Sequence, residues 1–216
     1  MKSSNRSRLS AYLGLYMVTT ESPGRTHIEV AQAALEGGAK VIQYRDKNAS
    51  SRTLYERARE LRKITREAGV LLIINDRLDI ALAVGADGVH LGKDDMPFES
   101  AREIMGASYI IGISATNYEE AAAAQGADYI GLGPIYPTPS KDDAAEPIGL
   151  QGLNRTRSSV SVPIVAIGGI TADNVEEIIT AGADGVALIS AVASAQDMVH
   201  AAQTLTHLIE RAKSRR

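Results

Sequence analysis

The chain contains no cysteine, no tryptophan and a single phenylalanine among 216 residues. The first absence excludes disulfides, thiolate metal centres and a cysteine nucleophile. The others leave the core to aliphatic side chains: 44% of the residues are hydrophobic but only 4% aromatic, nearly all of those tyrosine. No segment approaches 18 uninterrupted apolar residues, so no membrane span is expected. Neither sign of charge dominates. With 23 Lys and Arg against 26 Asp and Glu, the formal net charge is -3, which gives no electrostatic footprint for nucleic acid, so any anion must be held locally. The start, MKSSNRSRLSAYLGLYMVTT, is basic, but its apolar stretch is interrupted by Gly14 and Tyr16 and no small-residue cleavage site follows. A secretory leader is therefore not expected, and the cytoplasm is the default location. The basic end, RAKSRR, reads as a solvated helix terminus or as a phosphate-binding tail. The length suits one large domain, expected over 1–216 with residues 1–8 as a flexible tail, because no composition break or long linker divides it.

What is present is a repeat. Short apolar runs fall at 15–18, 41–44, 71–74, 88–91, 110–113, 129–132, 164–167 and 185–189. Most lack period-two polarity, as expected for strands covered on both faces, and helix-patterned segments such as TLYERARELRKITREAG and NYEEAAAAQG lie between them. A second pattern supports this count. GGAKVIQY, VGADGVHLG, QGADYIGLG and AGADGVALIS each place Gly-Ala, usually with Asp, between a helix and a strand, where the glycine supplies a left-handed helix stop. Gly38, Gly85, Gly126 and Gly182 recur at about twice the length of one βα unit, so the motif marks alternate strands. Eight parallel strands with a double-unit repeat predict an α/β fold of one (β/α)8 barrel, with a doubly wound open sheet as the alternative.

In such a barrel the chemistry sits at the C-terminal ends of the strands. The second run exits as VIQYRDK, where Gln43, Arg45 and Lys47 share one parity; two cations and an amide on one side favour anion binding over isolated surface charge. The third ends in Asn75 and Asp76 and the fourth carries His90, then Asp95. The two aspartates read either as helix caps or as oxygen ligands suited to Mg²⁺. His90 reads as a hydrogen-bonded interior residue in preference to a catalytic base. The fifth run ends in Ser114, and the sixth leads into GLGPIYPTPSK, whose Thr138, Ser140 and Lys141 can surround a phosphate. AIGGI, with Gly168 and Gly169 before a helix expected near Thr171, and LIS, with Ile189 and Ser190 before the last helix, make a backbone-amide phosphate cup. Two anion-binding regions suit an enzyme that joins two phosphorylated molecules better than one that isomerises a single phosphosugar.

The motifs QYRDK, NDR, HLGKDD, ISA, GPIYPTPSK, AIGGI and LIS, in this order and at these spacings, resemble those of the thiamine-phosphate synthase family over nearly the whole chain. The resemblance implies a (β/α)8 transferase. It would condense 4-amino-2-methyl-5-(diphosphooxymethyl)pyrimidine with 4-methyl-5-(2-phosphooxyethyl)thiazole to give thiamine phosphate and pyrophosphate. It implies that Gln43, Tyr44, Arg45, Asp46, Lys47, Asn75, His90, Ser114 and Lys141 contact the pyrimidine diphosphate. Thr138, Pro139, Ser140, Gly169, Ile189 and Ser190 would hold the thiazole phosphate, and Asp76 and Asp95 would bind Mg²⁺. Arg45, Lys47, Ser114 and Lys141 would carry the catalytic contacts. Departures from the family pattern are Thr20 where aspartate is common, Lys93 where glutamine is usual and Ser140 where threonine is frequent. A thiazole tautomerase-like isomerase and a non-catalytic barrel that binds a phosphorylated ligand are the alternatives; the Asp76/Asp95 and Lys47/Lys141 pairs favour the synthase. The expected partners are small-molecule substrates, with a homo-oligomer compatible with the sequence.

Overall fold

The computed structural model describes residues 2–21, 24–138 and 145–216, leaving aside the side chains of residues 2–4 and 8. Its strands are β1 (Leu15–Val18), β2 (Val41–Tyr44), β3 (Leu71–Asn75), β4 (Gly88–Leu91), β5 (Ile110–Ala115), β6 (Tyr129–Leu132), β7 (Ile164–Ile167) and β8 (Gly185–Leu188). They pair in chain order, all parallel, and β8 pairs with β1 to close a barrel. The (β/α)8 expectation therefore holds and the open sheet does not. The helices are α1 (Lys2–Ser10), α2 (His27–Glu36), α3 (Ser51–Ala68), α4 (Leu78–Val84), α5 (Phe98–Met105), α6 (Tyr118–Ala123), α7 (Gly149–Arg157), α8 (Val175–Thr180), α9 (Ser190–Ala193) and α10 (Met198–Ser214).

Local chemistry sets these elements. α3 begins where the Ser50 hydroxyl accepts the Thr53 N–H, buries Leu54, Ala58, Leu61 and Thr65 along one stripe, and stops at Gly69 with φ 68°. Each leucine so buried contributes roughly 2 kcal/mol. α2 opens with a reciprocal bond between Thr26 and Glu29. Strand parity separates two cores. Side chains such as Ile42, Ile74, Val89 and Leu132 face the helices, whereas Tyr16, Val41, Ile73, Ile110, Tyr129 and Val165 fill the barrel. α1 closes the bottom of the barrel. Leu9 is fully buried in the barrel core, and the Asn5 amide donates to the carbonyls of Ala107 (2.7 Å) and Tyr109 (3.2 Å). An apolar plug shields the lower barrel interior from water, which is the physical reason for its order.

The Gly-Ala-Asp repeat proves to be a clamp. Asp87 Oδ2 accepts the Leu72 N–H of β3 (3.0 Å) and Arg62 of α3 (2.7 Å). Asp128 does the same with Ile111 N of β5 (2.8 Å) and Arg102 of α5 (2.5 Å), and Asp184 with Ile164 N of β7 (2.8 Å) and Arg157 of α7 (2.9 Å). Each carboxylate thus ties the foot of an even strand to the strand and helix before it. The fourth quarter differs: Lys40 stands where the others have aspartate, and Lys213 of α10 donates to the Leu13 carbonyl (2.6 Å). Its place matches that of Arg102 on the Tyr109 carbonyl and Arg157 on that of Val162. The expected left-handed stop occurs at Gly38, Gly85 and Gly182 but not at Gly126. There α6 tightens into a 3-10 turn, Ala124–Gly126, and a Cβ on the glycine would press on the Phe98 ring at 3.0 Å.

Candidate active site

The rims of β2, β3 and β4 bring together two acids and two bases. Asp76 is the one non-glycine residue with positive φ (62°) among the described residues, and its N–H donates to the His90 carbonyl at 2.8 Å. A backbone held in this sparsely populated region turns the carboxyl toward the mouth at a cost of about 1–3 kcal/mol. Burial first, then the hydrogen bond and charge of Asp95, raise this carboxyl to about 6, against the opposing fields of Lys47 and Arg45. Asp95 Oδ2 accepts the Gly92 N–H at 2.6 Å. Neither aspartate is a helix cap: Arg77 and Pro97 occupy those positions, without side-chain capping bonds. Two carboxylates close enough to contend for one proton, flanked by cations, are a donor set that fits Mg²⁺ bound by carboxylates and substrate oxygens. Lys93 carries its charge to Glu120, whose carboxyl it helps to lower.

Gln43 points into the barrel, but Tyr44 and Asp46 of the same motif lie on the opposite parity. Tyr44 is 1% exposed and packs edge-on against His27 at 4.9 Å in the outer core. Asp46 accepts the N–H groups of Asn48 (3.1 Å) and Ala49 (3.0 Å) and pairs with Arg57 (2.9 Å), so it shapes the turn that presents Arg45 and Lys47. Glu21, His27 and Asp46 converge within 4.8 Å. Arg57 also bonds Glu21 (2.8 Å), so both carboxylates there already share one guanidinium.

Deeper in the mouth a hydrogen-bonded row crosses the barrel. Gln43 Nε2 donates to Tyr16 Oη (2.8 Å), which meets Tyr129 Oη (2.7 Å). Tyr129 Oη meets His90 Nδ1 (2.9 Å), and His90 Nε2 meets Ser114 Oγ (2.9 Å). His90 is thus the hydrogen-bonded interior residue that the sequence favoured. The tyrosines are what sequence reasoning missed. Their signal was faint: two inward-parity tyrosines in an aromatic-poor chain, with Gly112 opposite Tyr129 and Gly131 beside the His90 ring. A Cβ at Gly112 would overlap the Tyr129 ring, and one at Gly131 would lie 2.9 Å from His90 Cε1.

On the far side, the chain leaving β6 lies along the end of β7, Ile135 N donating to the Ile167 carbonyl (2.9 Å) and Tyr136 N to that of Gly168 (3.1 Å). Gly168 (φ 98°) and Gly169 (φ 65°) allow this approach, because a Cβ on either would collide with residues of the 134–137 stretch. The Tyr136 hydroxyl reaches Glu177 of α8 at 2.5 Å, and Thr138 ends the described part of the loop. Pro139, Ser140 and Lys141 lie outside the described residues. The helix expected near Thr171 starts later, at Val175. Asn174 folds back, accepting the Thr171 N–H (2.8 Å) and donating to the Gly169 carbonyl (2.9 Å), so the Thr171 amide is already engaged. Beyond β8, Ile189 packs on the barrel core and α9 begins at exposed Ser190. Asn75 continues the inward parity of β3, in register with His90.

Residues 15–192 match the model of a family described as thiamine monophosphate synthase. The chain is 54% identical over 199 residues to the thiamine-phosphate synthase of Chloroflexus aurantiacus, covering 90% of this chain and 92% of that one. It is 49% identical over 209 residues to that of Archaeoglobus fulgidus, covering 96% and 99%. The solved structure of a thiamine phosphate pyrophosphorylase from Pyrococcus furiosus superposes with a TM-score of 0.88 at 46% identity, over 94% of this chain and 98% of that one. Matched by the family model over residues 15–192 and by such relatives across nearly its whole length, the chain belongs to the thiamine monophosphate synthase family.

Proposed function

We infer that the mouth performs the condensation for which the family is named, and that it does so chiefly by charge placement. The single observation that carries this reading is the convergence of Arg45, Lys47 and Asp95 on Asp76. Arg45 and Lys47 hold the diphosphate of the pyrimidine substrate. The C–O bond to its methylene breaks, the electron pair leaves on the pyrophosphate oxygen, and the aminopyrimidine ring stabilises the resulting cation. The thiazole nitrogen then donates its lone pair to that carbon. The protein supplies positioning and neutralisation of the departing charge, so no general base is required. Asp76 and Asp95 would hold Mg²⁺, which supplies charge neutralisation to the diphosphate when bound. Gln43, Asn75 and Ser114 orient the pyrimidine. Thr138, Ser140, Gly169, Ile189 and Ser190 hold the thiazole phosphate, and Lys141 steadies the leaving pyrophosphate. Tyr44 and Asp46 serve from behind, as supports of the β2–α3 turn.

No helix of the described residues is long and apolar enough to cross a membrane. A cytoplasmic enzyme acting on diffusible phosphorylated substrates, self-associated or not, is the setting we assign. The test is formation of thiamine phosphate and pyrophosphate from the two substrates, with and without EDTA. Asp95→Ala is expected to lower the rate at least about tenfold, a loss of roughly 1.4 kcal/mol of transition-state stabilisation. Full activity of the wild-type chain in EDTA would remove the metal assignment. Absence of product with metal present would remove the synthase reading in favour of a phosphate-binding barrel.

A further inference from the structure

The buried row from Gln43 to Ser114 has a direction, set by the number of protons it contains. A tyrosine hydroxyl has one hydrogen to donate and accepts through its lone pairs. Tyr16, 1% exposed, already accepts from the Gln43 amide, so its own hydrogen needs an acceptor, and Tyr129 Oη is the one at 2.7 Å. Tyr129, also 1% exposed, has then accepted and must donate onward, which places a lone pair of His90 Nδ1 at the end of the 2.9 Å contact. The neutral imidazole consequently carries its hydrogen on Nε2 and donates it to Ser114 Oγ. The opposite polarity would give Tyr16 two incoming donors and leave its own hydrogen buried with neither of those partners to accept it, a penalty of about 1–3 kcal/mol. Burial also holds both phenols well above their ordinary range, so each remains a donor.

We propose that Tyr16 and Tyr129 are positioning residues of the reaction: acting through His90, they keep the Ser114 hydrogen from being spent on the imidazole and leave it for an acceptor atom of the substrate. Ser114 stands at the rim of β5 in register with Gly131 of β6, which has no side chain to cover it. Because Ser114 already receives the His90 N–H, its own hydrogen is the one the row leaves for a ligand. With the opposite polarity the Ser114 hydrogen would be spent on His90 Nε2 and only lone pairs would face the substrate; with this one the hydrogen is available, beside the remaining lone pair. Ser114 can therefore donate to an acceptor, such as an unprotonated ring nitrogen, which the opposite polarity would not allow. The glycines opposite the rings are part of the device, since a methyl group at Gly112 would push Tyr129 out of line.

The inference rests on the proposed contact between Ser114 and the pyrimidine, and the experiment separates the two. Nitrogen-15 NMR of the full chain labelled at histidine, with His90→Gln to assign the signal, is expected to show His90 neutral with Nε2 protonated and Nδ1 bare. An Nδ1-protonated or doubly protonated ring near neutral pH in the wild type would overturn the inference, whatever the variants do. In kinetics, Tyr129→Phe is expected to lower kcat about tenfold, and Tyr16→Phe less, because Tyr129 keeps its hydrogen for His90. The KM for the thiazole phosphate should stay within twofold in both. In a Ser114→Ala background Tyr129→Phe should have no further effect, since there is no hydroxyl left to orient; a full additional loss would mark a merely structural tyrosine and overturn the proposal. A Ser114→Ala variant with wild-type kinetics would instead defeat the substrate contact at Ser114, while the His90 tautomer would still report the polarity of the row.

Discussion

Asp76 combines a left-handed backbone with a carboxyl that has to ionise beside Asp95, and both features work against folding. The sign follows from linkage. A carboxyl raised from 3.8 to about 6 binds its proton more tightly in the fold than in the unfolded chain. The resulting penalty is absent below pH about 4, grows as pH rises through that window and is complete above about 6. Asp76→Asn, which keeps a residue tolerant of positive φ, is therefore expected to raise the melting temperature of the metal-free protein at pH 8 but not at pH 4. The gain is of the order of 1 kcal/mol once solvent screening of this half-exposed group is allowed for. The same variant should lose activity at least about tenfold. Thermal melts at the two pH values in EDTA check this, and equal shifts would contradict it. Lys141 lies outside the described residues, and its expected role follows from its charge. Negative charge accumulates on the leaving oxygen only as the bond breaks, so Lys141→Met is expected to lower kcat more than it raises KM for the pyrimidine. Steady-state kinetics at saturating thiazole phosphate distinguish this from a clamp, which would change KM alone. At this scale the sequence exposed the charged residues, because charges at strand exits stand out against apolar runs. It concealed the φ of Asp76. It also concealed the partners of Tyr16, whose hydroxyl meets that of Tyr129 113 residues further along the chain.

Among the elements, the strands were legible because parallel strands buried on both faces must be apolar throughout, and every predicted run lies within or against an observed strand. Boundaries failed where a side chain took over a backbone role. Thr171 has the composition of a helix cap, but Asn174 holds its amide and postpones α8 to Val175. The aspartate of the repeated motif was visible as a repeat, while its function required the helix arginine and the strand amide to be seen together. The clamp at β6 has the most enclosed acid of the three, with Asp128 4% exposed. Removing its acid leaves a guanidinium and the Ile111 N–H without their shared acceptor. Asp128→Ala is therefore expected to destabilise the fold by about 3 kcal/mol, with Asp128→Asn intermediate. Urea denaturation measures it, and a loss below about 1 kcal/mol would mean the clamp is no stronger than a surface ion pair.

For the whole molecule, closure depends on the quarter that lacks the acid. Lys40 is exposed at the foot of β2, its N–H only 3.4 Å from the Leu15 carbonyl, and its charge disfavours that of Lys213, which burial already lowers. Lys40→Asp would supply the missing acceptor for the β1 backbone and for Lys213. It is expected to raise the melting temperature by about 2–4 °C, the shift that corresponds to 1 kcal/mol in a chain of this size. A lowered melting point would show that the fourth quarter is built on other terms. The three complete clamps join residues only 25, 26 and 27 positions apart, whereas Lys213 reaches back 200 positions to Leu13. During synthesis the first three can therefore form as each segment leaves the ribosome, while the ring stays open until the final helix emerges. In that interval the edges of β1 and β8 are bare backbone that another nascent chain can pair with. The hazard of aggregation is thereby concentrated in the stage just before α10 emerges, after most of the barrel already stands.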